Sequence, residues 1–210
     1  MSAARIHGIV LAGVGGQGVL SLAQILLEAL RRSGFHALQS EIHGMSQRGG
    51  SVHAMVCFAE APLTSPIIDE GCADLLISLE PLEALRYVAM LREDGHLVVS
   101  EEPQADMDGY PPLDDVYAAL KKVRGAHLID TEDLARRLNH RQAGGMALLG
   151  MASKYLPVSD EVWRDVITQR FEAKGARVIE KNLEAFEAGR GQGPAFKMGC
   201  GRAKGAPQAR

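Results

Sequence analysis

The sequence has no cysteine-rich tract, few aromatic residues, no surplus of one charge and no long hydrophobic run, and each absence removes a class of function. Cysteine occurs only at Cys57, Cys72 and Cys200, widely spaced and without a CxxC. Iron–sulfur clusters usually take four thiolates, and structural zinc sites place Cys and His at short spacings, so neither group is expected on this chain. Cys57 and Cys72 read as small buried hydrophobes and Cys200 as a tail thiol. Aromatics make up 5% of the chain and do not alternate with basic residues, which argues against a base-stacking surface. A formal net charge of −3 gives no steering toward nucleic acid or an anionic membrane. The apolar run at residues 9–14 is too short to span a bilayer, and no secretory pattern precedes it. The expected setting is the reducing cytoplasm.

What is present is globular: 46% hydrophobic and 23% charged over 210 residues, enough for one substantial domain with a real core. Residues 5–12 read as a buried first strand running into the glycine cluster Gly13, Gly15, Gly16 and Gly18. Residues 19–32 read as a helix, because Leu22, Ile25, Leu26, Ala29 and Leu30 fall on one face and Gly34 follows. A strand is expected at 35–41 and a glycine-rich loop at 43–50, so the opening reads as a parallel βαβ unit. Further strands are expected at 51–59, 73–79, 96–100 and 126–130. Helices are expected at 82–90 and 132–138, the latter capped by Thr131, and 101–112 reads as a loop. After Asn139 the pattern is all helical: 143–156, a helix capped by Ser159 with Val162, Trp163, Val166, Ile167 and Phe171 on one face, and 176–188. The fold class is therefore α/β, a single Rossmann-like domain with a mostly parallel sheet flanked by helices and an all-helical C-terminal portion. The domain is expected over residues 1–188, with 189–210 a disordered tail.

Two loops carry the chemistry. Gly13, Gly15, Gly16, Gln17 and Gly18 stand where a phosphate-binding turn belongs, between first strand and helix, where glycines expose N–H groups and the helix N-terminus adds positive potential. The same glycines also suit a turn that serves only close helix–sheet packing. A nicotinamide dehydrogenase would want an acid near the end of the second strand for the ribose, and Glu41 lies about there. The residues that follow do not suit a bare ribose carboxylate, and the helical C-terminal third offers no substrate domain. In the second loop His43, Ser46, Gln47, Arg48 and Gly49 stand among glycines; Arg48 offers a planar fork of donors to a phosphate or carboxylate, and His43 can titrate near neutrality. Such a loop binds a ligand, docks on a partner chain, or does both. Glu80 and Glu83 flank Pro81 and invite a general acid/base reading, but acids and proline also open helices, and a solvated helix start is the expectation. His7, His53, His96, His127 and His140 read as single core or surface residues, and nothing supports a metal site.

GVGGQGV at 13–19, HGMSQRGGSV at 43–52, SPII at 65–68 and ADLLISLEPLEALR at 73–86 together resemble the gamma-type domain of 2-oxoacid:ferredoxin oxidoreductases. The HGMSQRGGSV and EPLEALR forms resemble the indolepyruvate oxidoreductase beta subunit, and the likeness spans residues 5–188, including GGMALLGMASKYLP at 144–157. The resemblance implies a complex that oxidatively decarboxylates aryl pyruvates to arylacetyl-CoA and CO2 with ferredoxin as acceptor. Such a complex uses thiamine diphosphate, magnesium, iron–sulfur clusters and coenzyme A. This chain has neither a Gly-Asp-Gly thiamine signature nor a ferredoxin-like cysteine run, so both are expected on a larger alpha subunit, and no catalytic residue is expected here. The ten residues from Gly13 to Gly49 named above are the expected contacts to coenzyme A and the subunit junction. Isolated, the chain is expected to self-associate through its partner-facing surface. A gamma subunit for pyruvate or 2-oxoglutarate, a free-standing NAD(P)-dependent oxidoreductase and a regulatory nucleotide-binding module are the competing readings.

Overall fold

A computed structural model describes residues 5–43, 50–104 and 109–192. Six strands form one sheet: β1 (His7–Val14), β2 (His36–His43), β3 (Ser51–Ala59), β4 (Ala73–Ser78), β5 (Leu91–Ser100) and β6 (Ala126–Ile129). The helices are α1 (Val19–Arg32), α2 (Pro81–Tyr87), α3 (Leu113–Leu120), α4 (Thr131–Arg137), α5 (Ala143–Ala152), α6 (Asp160–Phe171) and α7 (Ala176–Arg190). β1 is buried on both faces, as a central strand covered by helices must be. Its alternate residues feed separate cores: Ile9 and Leu11 pack with α1 and α4–α7, Val10 and Ala12 with α2 and α3. The C-terminal helices thus form one thick layer on a single face of the sheet, within the same domain.

The sheet order β2-β3-β1-β4-β5-β6 corrects one expectation. β1 pairs in parallel with β4, β4 with β5 and β5 with β6, but β3 runs antiparallel to both β1 and β2. The opening is therefore not a simple parallel βαβ unit. β2 points the same way as β1 after the α1 crossover, yet β3 turns back through the 44–50 connection and fills the place between them. Alternation along 51–59 shows a strand without showing its neighbour, so pairing was beyond local pattern.

Smaller corrections have local causes. Asp130, not Thr131, caps α4, accepting from the Asp133 N–H at 2.7 Å, while Thr131 is drawn inward to share a 2.6 Å hydroxyl bond with Ser100. The unforeseen α3 buries Val116 and Leu120, one turn apart, and has Asp114 and Asp115 in its first turn. Cys57 is buried as expected, but Cys72 is exposed beside the Gly71 turn, and Cys200 lies outside the described residues. α7 continues through Arg190, past the expected end at 188. Its Gly189 lies so close to α5 that a β-carbon there would fall 1.9 Å from the Ala147 carbonyl oxygen. The remainder of the expected tail, 193–210, lies outside the described residues.

Candidate functional site at the C-terminal sheet edge

α/β sheets bind ligands beyond the carboxyl ends of their parallel strands. At that edge the chain leaves β1 at Val14 and turns sharply into α1. Gly16 and Gly18 adopt φ of 103° and 93°, and among the described residues nothing stands within 4 Å of where their β-carbons would be. They serve backbone conformation. Gly13 serves packing: a β-carbon there would meet Gln17 Oε1 and Val19 Cγ2 at 2.9 Å. The glycines thus differ in role: Gly13 answers to packing, Gly16 and Gly18 to backbone conformation. Gln17 is a brace: its Oε1 accepts from the Val14 N–H at 2.8 Å and its Nε2 donates to the Leu79 carbonyl at 3.2 Å, tying the turn to the end of β4. Among the described residues no side chain caps α1, and its first turn holds no acid.

The second loop leaves β2 at His43 and re-enters the sheet at Ser51. Ser46, Gln47, Arg48 and Gly49 lie outside the described residues, as does the side chain of His43. Its last residue is fixed: the Gly50 carbonyl accepts the Gly15 N–H at 2.8 Å. This bond brings the two glycine segments together at one edge. Glu41, by contrast, sits on the outer strand β2, with β3 between it and β1, and accepts from Gln39. At a strand spacing of about 4.8 Å the intervening strand moves it about 10 Å from β1, away from the place of a ribose carboxylate.

The acidic pair Glu80 and Glu83 departs most from expectation. Both are buried, at 1% and 2% exposure, where a solvated helix start was expected. Glu80 is indeed the α2 cap, accepting from the Glu83 N–H at 2.8 Å; it also accepts from the Tyr110 hydroxyl at 2.6 Å and the Gln104 N–H at 3.3 Å. Burial and the bond to Glu80 hold the Tyr110 proton well above the usual phenol range. Glu83 receives the Ser51 hydroxyl at 2.5 Å and the Arg86 guanidinium at 3.1 Å. Burial nevertheless pushes its carboxyl up, with Glu80 adding to the rise and Ser51 and Arg86 opposing it.

Nor do the histidines stand singly. His53 Nδ1 is 2.8 Å from the Tyr87 hydroxyl, which lies 3.2 Å from Ser51 Oγ. On β5 and β6, His96 stacks on Tyr155 with ring centroids 4.1 Å apart, and His127 Nε2 bonds the Tyr155 hydroxyl at 2.7 Å. Sequence reading missed Ser51, His53, Tyr87 and the burial of Glu83 as one group. The signal was there: Ser51 and His53 share a strand face at period two, and Glu83 and Tyr87 share a helix face four residues apart. Among the described residues no three His, Cys, Asp or Glu side chains are grouped to hold a metal ion, and no helix is long and apolar enough to cross a membrane.

The family model for pyruvate ferredoxin/flavodoxin oxidoreductase matches residues 8–192. The indolepyruvate oxidoreductase subunit IorB of Thermococcus kodakarensis is 36% identical over 193 residues, covering 87% of this chain and 94% of that one. IorB of Archaeoglobus fulgidus is 33% identical, covering 88% and 94%. In fold the chain resembles the 2-oxoglutarate:ferredoxin oxidoreductase of Magnetococcus marinus, with a TM-score of 0.70 at 20% identity over 89% of this chain and 30% of that longer one. From the family match and the relatives together, the chain belongs to the pyruvate ferredoxin/flavodoxin oxidoreductase family, as a subunit of a 2-oxoacid:ferredoxin oxidoreductase.

Proposed function

We propose that this chain is the non-thiamine, non-iron–sulfur subunit of a complex that converts indolepyruvate and related aryl pyruvates, with coenzyme A, into arylacetyl-CoA, CO2 and two electrons for ferredoxin. The observation that carries the site is the Gly15–Gly50 bond, which ties the end of the second glycine segment to the first. That edge, with the uncapped start of α1, offers N–H donors and positive potential suited to the phosphates of coenzyme A. The Magnetococcus marinus oxidoreductase was solved with coenzyme A bound, and the IorB relatives bear the indolepyruvate name.

The cysteines do not fit an iron–sulfur cluster: the described pair consists of buried Cys57 and exposed Cys72, and the whole chain has three. A larger alpha subunit accordingly carries the clusters, thiamine diphosphate and magnesium, and hands electrons to ferredoxin in the cytoplasm. Thiamine diphosphate supplies the carbanion chemistry of decarboxylation; this chain's residues bind and orient. Gly13, Gly15, Gly16 and Gly18 shape the anion turn, Gln17 braces it, and His43, Ser46, Gln47, Arg48 and Gly49 line the junction with the alpha subunit. Without that subunit the chain pairs with itself through the same face.

The test is copurification of the tagged chain. The expected result is a large brown partner whose complex reduces a viologen dye with indolepyruvate and coenzyme A, and in which Arg48→Ala raises the KM for coenzyme A about tenfold, as loss of one charge-assisted contact would. A chain that emerges alone and binds NADH overturns the proposal, as does an Arg48→Ala complex with unchanged kinetics.

A further inference from the structure

The group formed by Glu83, Ser51, Tyr87 and His53 lies immediately behind the second glycine segment, since Ser51 follows Gly50. Its three contacts form one unbroken line: Glu83 Oε2 to Ser51 Oγ at 2.5 Å, Ser51 Oγ to the Tyr87 hydroxyl at 3.2 Å, and that hydroxyl to His53 Nδ1 at 2.8 Å. The protons available are few: one on serine, one on tyrosine, and one on neutral imidazole. If Glu83 is ionised it can only accept, so Ser51 donates to it. Tyr87 must then donate to Ser51, and His53 fills the last link only with its proton on Nδ1. If Glu83 is protonated toward Ser51, every link reverses: Ser51 donates to Tyr87, Tyr87 donates to a bare Nδ1, and the histidine proton sits on Nε2. Both states satisfy all three bonds with a neutral imidazole, the Arg86 guanidinium at Oε1 leaves Oε2 as the place for the carboxyl proton, and the imidazolium beside an ionised Glu83 is the state that links the two.

We propose that Ser51 and Tyr87 form a proton relay between His53, the port, and Glu83, the buried store, at the root of the second glycine segment. One proton taken up at His53 Nε2 pushes the Nδ1 proton to Tyr87; the tyrosine proton passes to Ser51 and the serine proton to Glu83. The net change is one proton gained by Glu83 and a changed tautomer at His53, with no bond other than these broken. Burial raises the Glu83 carboxyl and lowers the His53 imidazole, which brings the two proton affinities toward each other, as a relay requires. The charged and titratable groups around it are few among the described residues. Arg86 and Glu80 face Glu83, with Tyr110 on the far side of Glu80, while Tyr87 alone faces His53, whose cross-strand neighbours are Ala12 and Ile42. Resting on the reading under Proposed function, the relay has a place in the reaction: a 2-oxoacid and a thiol yield thioester, CO2, two electrons and one proton, and Glu83 takes that proton beside the loop.

The first measurement is the ring-nitrogen NMR of His53 in the full chain as pH is varied. The relay requires the Nδ1–H tautomer while Glu83 is ionised and the Nε2–H tautomer once it is protonated, with the switch abolished in Tyr87→Phe. That variant keeps the ring that packs on His53 with centroids 4.7 Å apart, and Ser51→Ala cuts the line at a second point. A His53 tautomer indifferent to Glu83 titration, or a switch that survives both variants, overturns the relay. In the assembled complex, Tyr87→Phe should weaken the pH dependence of kcat/KM for coenzyme A several-fold while leaving KM for indolepyruvate unchanged. An unaltered profile beside an intact tautomer switch overturns its part in the reaction. A complex with no coenzyme A-dependent turnover overturns the proposed function and leaves the relay to the NMR result.

Discussion

A carboxylate with 2% exposure ordinarily needs full compensation, and Glu83 receives one hydroxyl and one guanidinium that is itself more than half exposed. Burial wins, and the fold holds the Glu83 proton to higher pH than the unfolded chain does. The sign follows by linkage: its contribution to stability is complete below the unfolded-state value and is lost as pH rises through the folded one. Glu83→Gln removes the charge but keeps an oxygen that can accept from Ser51. The variant should therefore gain melting temperature relative to wild type, and gain more at about pH 8 than at about pH 4, where the wild-type carboxyl is largely protonated. Thermal unfolding at both pH values is the check; an equal difference at the two would mean that charge burial is not what distinguishes the residue. Sequence alone marked Glu80 and Glu83 as a pair at a helix start, which they are. It could not show that Tyr110 and Ser51 close over them from distant segments, because burial is a property of the assembled sheet edge.

Elements were legible where one period dominates. The α1 bounds of 19–32 and the β3 bounds of 51–59 coincide with the reading, since apolar periodicity and flanking glycines act together there. The short α3 and the precise end of α7 were missed because two buried residues, or one helix-terminal glycine, give little local signal. That glycine has a tertiary purpose. Gly150 and Gly189 let α5 and α7 approach so closely that a β-carbon on Gly150 would fall 1.9 Å from the Phe186 carbonyl oxygen, matching Gly189 against Ala147. Backbone atoms cannot step aside as a side-chain tip can, so alanine at either site must separate the helices. Each substitution should cost on the order of 3 kcal/mol, against a gain of under 1 kcal/mol from alanine's helix propensity. Urea unfolding would show it as a lowered midpoint. Because both changes open the same crossing, the double variant should lose less than the sum of the singles.

For the whole molecule, the decisive feature is the antiparallel β3 lodged between β1 and β2. A dinucleotide fold brings the end of its second strand beside the glycine turn so that an acid can hold the ribose; here that neighbouring place belongs to Ser51 and His53. The family resemblance and the lone glycine fingerprint pointed to different partners for this edge, and the strand order removes the β2 acid that the second of them needs beside the turn. Glycine spacing alone was compatible with either, since a phosphate turn looks the same in both. The consequence is measurable on the isolated chain. Titration with NADH should give no fluorescence enhancement at ligand concentrations up to about 1 mM, the weak end of ordinary specific binding. Coenzyme A should protect the assembled complex against thermal unfolding, because a ligand that binds only the native state adds stability by mass action. Saturable NADH binding with no protection by coenzyme A would mean that the inserted strand does not bar a nicotinamide dinucleotide from the edge, and the proposed role of that edge in thioester chemistry would fall with it.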